Sequence, residues 1–231
     1  MTAMFLVPFV LLGCKDAPQA GSENTVEQSQ TAPQPITDPA RFISAVEVLT
    51  KLESNEAQWV FDARSKHSYD ELRIAGAMSF PYEQFDEADL AAVKGLEKDS
   101  PIVTYCGCPH FLAGLVADQI VAFGYTNVKV LHEGFFHWRD NSFPVEGLNA
   151  QATTLLKFAG TLHKEGEPLA YTNVFIRNQR NGQLEATRTD SSGNYETGFH
   201  VYSYRRIDQF ELHVGRLDAQ TQVTLINPID S

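Results

Sequence analysis

The stretch from Val103 to Ile120 constrains this chain more than any other. Val103-Thr-Tyr-Cys106 is an apolar, β-branched run that delivers a cysteine into a short turn, Gly107-Cys108-Pro109-His110. The segment beginning Phe111-Leu-Ala-Gly-Leu-Val-Ala-Asp-Gln-Ile120 then reads as an amphipathic helix. A thiol at a strand end, facing a helix N-terminus, meets converging backbone N–H groups and the positive end of the helix dipole. That environment favours a thiolate over the thiol, whose ordinary pKa is about 8.5. The spacing predicts a strand over 102–105, a helix over 112–123 and a working site between them.

The flanking sequence supplies a sheet for that strand. Ser44-Ala-Val-Glu47 is a capping-box pattern ahead of Val48, Leu49 and Leu52, and predicts a first helix. Strands are expected over 59–62, 77–80 and 128–131. Helices are expected over 65–73, capped by Ser65, and over 87–96, with Leu90, Val93 and Leu96 on one face. Alternating strands and helices imply an α/β domain whose mostly parallel sheet is flanked by helices. Ligands of such sheets sit at the carboxyl ends of the strands, where Cys106 falls. After Gly147 the helical period vanishes. Alternating runs at 155–161, 173–178, 184–189, 195–199, 209–214 and 223–226, separated by turn signals such as Asn181-Gly182 and Asp190-Ser-Ser-Gly193, predict a small all-β antiparallel sandwich.

Four landmarks in order carry a family resemblance over about residues 43–147. They are Phe61-Asp62-Ala63-Arg64 at a strand end; Tyr69 with Arg73-Ile74-Ala75-Gly76-Ala77; Tyr105-Cys106; and Gly124-Tyr125-Thr-Asn127-Val128 with Glu133-Gly134-Phe135 and Trp138. This segment resembles a rhodanese domain. The resemblance implies a sulfurtransferase in which Cys106 is the catalytic residue. It takes sulfane sulfur as a persulfide from a donor and passes it to a thiol acceptor, without a cofactor. The loop from Cys106 to Phe111 has the family's six-residue length. The implied substrate-binding positions are Gly107, Cys108, His110, Phe111 and Leu112, with Asp62 and Arg64 in support. Two departures bear on substrate. Phe111 stands where the family often has an anion-gripping arginine, and Pro109 removes an N–H donor. Both disfavour thiosulfate and leave a persulfide-carrying protein or small thiol. The alternative is a non-catalytic rhodanese-fold binding module, or a redox sensor in which Cys106 and Cys108 form a strained disulfide. A metal site on Cys106, Cys108 and His110 is disfavoured, because the three are compressed into one loop without zinc-site spacing. His110 is read either as a donor to the thiolate or as a solvent-exposed side chain. The C-terminal region, with Gly160-Thr-Leu, Val174-Phe-Ile and Thr189-Asp190-x-x-Gly193-x-Tyr195, resembles carboxypeptidase-regulatory-like, transthyretin-type sandwiches.

The remaining expectations concern address. Met4-Phe-Leu-Val-Pro-Phe-Val-Leu-Leu12 is too short to span a bilayer and reads as a signal segment. It ends in Leu11-Leu12-Gly13-Cys14, which resembles a bacterial lipobox. That resemblance implies cleavage after residue 13, lipidation of Cys14 and membrane attachment in the cell envelope, with Lys15 favouring the outer membrane on its periplasmic side. An ordinary secretory signal or a buried N-terminal strand is the alternative. Residues 14–38, poor in large apolar side chains, read as a flexible tether. The expected organisation is therefore signal 1–13, linker 14–38, α/β domain 39–148 and sandwich 149–231. A net charge of −11 with no basic stripe argues against nucleic acid as a partner.

Overall fold

The computed structural model describes residues 38–229 apart from positions 57, 83, 108–109, 149–152 and 218–222. The signal segment, Cys14 and nearly all of the tether lie outside the described residues, as do Cys108, Pro109 and most of the link after Leu148. Among the described residues no helix is long and apolar enough to cross a membrane.

A 3-10 turn at Pro39–Arg41 leads into β1 (Phe42–Ile43). Then follow α1 (Ala45–Glu53), β2 (Trp59–Asp62), α2 (Lys66–Glu71), β3 (Arg73–Ile74) and β4 (Met78–Ser79). The domain continues with α3 (Glu87–Ala91), β5 (Ile102–Tyr105), α4 (Phe111–Ala122), β6 (Val128–Leu131), α5 (Gly134–Asp140) and β7 (Val145–Glu146). The main sheet has the order β1-β6-β5-β2-β4, every neighbouring pair parallel, with β5 in the middle. The two expected caps form. The Ser44 hydroxyl accepts from the amide of Glu47 and the Ser65 hydroxyl from that of Ser68, each satisfying an N–H that opens a helix. All four residues of β5 are buried, as a strand covered on both faces requires.

Three expectations are corrected. The helix predicted over 65–73 stops at Glu71, because Arg73 and Ile74 pair with Glu146 and Val145. The helix predicted over 87–96 stops at Ala91; its last turn carries Leu90 inward, and the turns that follow carry Leu96 inward, with Gly95 at φ +85°. The first half of α4 is not amphipathic: Leu112 through Ala117 are all buried. Six consecutive buried helical positions point in every direction around the axis, so one sheet face cannot cover them.

The second cover comes from the C-terminal region. It comprises β8 (Thr153–Thr161), β9 (His163–Lys164), β10 (Glu167–Pro168), β11 (Asn173–Asn178), β12 (Leu184–Arg188), β13 (Asn194–Tyr202), β14 (Phe210–Val214) and β15 (Val223–Ile226). An antiparallel sheet of order β12-β11-β14-β15 packs with the long β8–β13 pair around Phe158, Val174, Ile176, Phe199, Val201 and Phe210. The far side of the four-stranded sheet is not solvated. Phe175, Leu184 and Ala186 join Cys106, Leu112 and Ala113 in one apolar cluster, and Phe175 stacks on Tyr82 at 5.4 Å. Burying each large side chain there stabilises the contact by about 1.5–3 kcal/mol.

Candidate active site

Cys106 follows the last residue of β5, the central strand, and is 1 % exposed. Its carbonyl accepts the Phe135 amide at 2.8 Å, which ties the cysteine turn to the start of α5. Gly134 makes that approach possible. It has φ +75°, and a Cβ there would lie 2.5 Å from the Gly107 carbonyl oxygen. On the other side of the turn begins α4. Within it the Gly114 amide donates to the His110 carbonyl, and helix geometry leaves the N–H groups of Phe111, Leu112 and Ala113 without intrahelical partners. Those amides and the helix dipole favour negative charge at the turn. Phe111 and Leu112 thus belong to the first helical turn rather than to a loop. The Leu112 side chain is fully buried in the core, so only its backbone is available to a substrate.

His110 is engaged with the chain beyond the end of β6. Its Nδ1 lies 2.6 Å from the His132 carbonyl oxygen, which can only accept, so Nδ1 donates. Its ring stacks on His132 and meets the edge of Phe42. Among the described residues no group of three or more His, Cys, Asp or Glu side chains could hold a metal ion. A cleft of about 600 Å³ lies elsewhere, at the β4 edge between Trp59, Met78, Phe80 and Phe85, and none of the described cysteine-turn residues lines it.

Asp62 and Arg64, at the end of β2, form a buried bidentate pair with Nη2 to Oδ2 at 2.7 Å and Nε to Oδ1 at 2.9 Å. Arg64 also donates to the Leu72 carbonyl at 2.6 Å and lies 3.9 Å from the Phe135 ring centre. Tyr105 donates to Asp62 Oδ2 at 2.6 Å and accepts from the Ile74 amide. Burial opposes the Arg64 charge, but the Asp62 carboxylate outweighs it and holds the guanidinium above its ordinary pKa. Burial, then the Asp62 charge, pushes the Tyr105 hydroxyl well up. This pair orders the chain beside the cysteine turn, since its donors and acceptors are engaged with one another and with backbone.

The family model of the rhodanese-like domain matches residues 44–141. Residues 44–141 have the rhodanese fold. Solved structures similar to the chain include BH2092 protein from Bacillus halodurans (28 % identity, 46 % of this chain and 75 % of that one, TM-score 0.42). Alr3790 protein from Anabaena sp. is similar at 24 % identity over 46 % of this chain and 82 % of that one, TM-score 0.41. Thiosulfate sulfurtransferase from Pseudomonas aeruginosa is similar at 20 % identity over 46 % of this chain and 20 % of that one, TM-score 0.41. No curated protein matches the chain.

Sequence reasoning missed what lies over the rhodanese-like domain. The hydroxyl of Tyr202, at the end of β13, is 3.4 Å from Arg64 Nη1. His200 stacks on Phe136 of α5 with ring centres 3.8 Å apart. Glu185 of β12, 6 % exposed, brings Oε1 to within 2.7 Å of where a Gly107 Cβ would be. The one available signal was α4 itself, whose first seven residues, Phe111-Leu-Ala-Gly-Leu-Val-Ala117, contain no polar side chain.

Proposed function

We propose that this protein is a sulfurtransferase that moves sulfane sulfur through a persulfide on Cys106. The observation that carries the reading is the position of Cys106 at the carboxyl end of the central strand of a rhodanese-like domain, directly ahead of α4. The Cys106 thiolate attacks the outer sulfur of a hydropersulfide, RS–SH. The S–S bond breaks and RS⁻ leaves, giving Cys106–S–SH. An acceptor thiolate then attacks that outer sulfur and releases the Cys106 thiolate. Phe111 in place of a cationic side chain supports thiols rather than thiosulfate as partners. On this proposal the protein is anchored in the cell envelope through lipid on Cys14, and its C-terminal region is a carboxypeptidase-regulatory-like sandwich. The test is mass spectrometry after incubation with a hydropersulfide donor. A gain of one sulfur on Cys106, lost in Cys106→Ala, supports the reading; full transfer by Cys106→Ala refutes it.

The burial of Cys106 favours a second reading, a closed module in which Cys106 and Cys108 respond to oxidants. Loss of two hydrogens across that pair, with no sulfur gain, would select it.

A further inference from the structure

Glu185 sits against the cysteine turn without an ion-pair partner among the described residues. Leu184 and Ala186 leave one face of β12 toward α4, and Glu185 leaves the other, at the edge of its sheet. Gln183 anchors this segment: it donates to the His200 carbonyl at 3.0 Å and accepts from the Tyr202 amide at 3.0 Å, clipping β12 to β13. The carboxyl occupies the space that Gly107 leaves by having no side chain, next to Cys106 and 2.7 Å from that virtual Cβ. Arg64, the neighbouring cation, directs its N–H groups to Asp62, Leu72 and Tyr202. Oε2 of Glu185 is buried with no hydrogen-bond partner among the described residues. An unmatched buried carboxyl oxygen is costly, and such groups cluster at functional sites.

We propose that Glu185 is the acid–base residue of the sulfur-transfer site, supplied by the sandwich to the cysteine of the rhodanese-like domain. The proposal rests on Cys106 carrying a persulfide. As RS⁻ leaves the donor, the Glu185 carboxylic acid gives it a proton, leaving RSH and a carboxylate. The acceptor thiol then returns a proton to that carboxylate as its thiolate attacks Cys106–S–SH, so atoms and charge balance over the cycle. The donor class follows. A departing alkyl thiolate, with a conjugate thiol pKa of about 8.5, benefits from a proton donor of similar strength. Sulfite leaving from thiosulfate is a weak base and needs none.

The surroundings suit this role. Burial, offset in part by the Arg64 charge, pushes Glu185 up to about 8. Among the described residues the charged and titratable groups around this interface include Asp62, Arg64 and Tyr105, with His67 of α2, Arg139 and Asp140 of α5, and His200 and Tyr202 of β13. Asp62 and Arg64 neutralise one another, as do Arg139 and Asp140. Burial raises Tyr105 and Tyr202, while burial and then Arg139 lower His200 to about 4.

The experiment is single-turnover loading of Cys106 in the full chain, followed by mass spectrometry from pH 6 to 9. Cysteine hydropersulfide and thiosulfate serve as alternative donors. Glu185→Gln is expected to slow loading from the hydropersulfide by about 10²-fold or more at pH 7 and to abolish the wild-type decline above pH 8. Loading from thiosulfate is expected to change less than about threefold. Glu185→Asp, which keeps the acid but withdraws it by one methylene, is expected to fall between and to keep the alkaline decline. Equal losses with both donors, or an unchanged pH profile in Glu185→Gln, would reduce Glu185 to a packing role and overturn the proposal. If wild-type Cys106 takes sulfur from neither donor, the persulfide reading itself fails.

Discussion

Replacing Glu185 by glutamine should change how the stability of this protein depends on pH. The carboxyl ionises at about 8 in the folded chain, against 4.5 as its ordinary value. Between these values the folded state holds a proton that the unfolded state has released, so stability falls as pH rises and levels off above about 8. Each pH unit in that interval costs about 1.4 kcal/mol, giving roughly 3 kcal/mol by pH 7 and up to about 5 kcal/mol by pH 9. Glutamine keeps the shape and cannot ionise. Urea unfolding of wild type and Glu185→Gln should therefore diverge steadily, with the variant gaining several kcal/mol on the wild type between pH 5 and pH 9. Other titrating groups cancel in the difference. A wild-type-minus-variant difference constant to within about 0.5 kcal/mol across that range would refute the burial of an unpaired carboxyl at this interface.

Asp62→Asn leaves Arg64 buried without its counter-charge and should cost about 3–5 kcal/mol, read as a lower Tm. Arg41→Ala, which removes only the half-exposed pair with Asp118, should cost less than about 1 kcal/mol in the same assay. Gly134→Ala forces a Cβ to 2.5 Å from the Gly107 carbonyl at φ +75°, and should destabilise by about 2 kcal/mol or more in chemical denaturation. Cys106 should react slowly with iodoacetamide, measured in a Cys108→Ser background. Leu184→Ala, which costs the cover about 2–5 kcal/mol, should speed the reaction at least tenfold. Equal rates would mean that the thiol is reached without moving the sandwich.

Much of the α/β layer is readable locally. The strands at 59–62, 102–105 and 128–131 fall where apolar β-branched runs place them, and Ser44 and Ser65 cap the helices they precede, because a hydroxyl there meets an orphan amide. The turn containing Cys106 is legible for the same reason: strand, glycine and helix start are adjacent in sequence. The β3–β7 pair is not, since Arg73–Ile74 and Val145–Glu146 are brought together only by the return of α5. Nor is the engagement of His110 with the His132 carbonyl, which depends on the end of β6 lying beside the start of α4.

By itself the sequence determined the two-part architecture and the cysteine between strand and helix, since both follow from periodicities and end signals within short windows. Only the tertiary structure decided that the sandwich closes over that cysteine. Alternation along Leu184-Glu185-Ala186 says that the acid and its neighbours point to opposite faces of a strand. It cannot say that both faces meet protein. That depends on how one folded layer docks against another, and the docking turns a mid-strand glutamate into a buried acid beside Gly107.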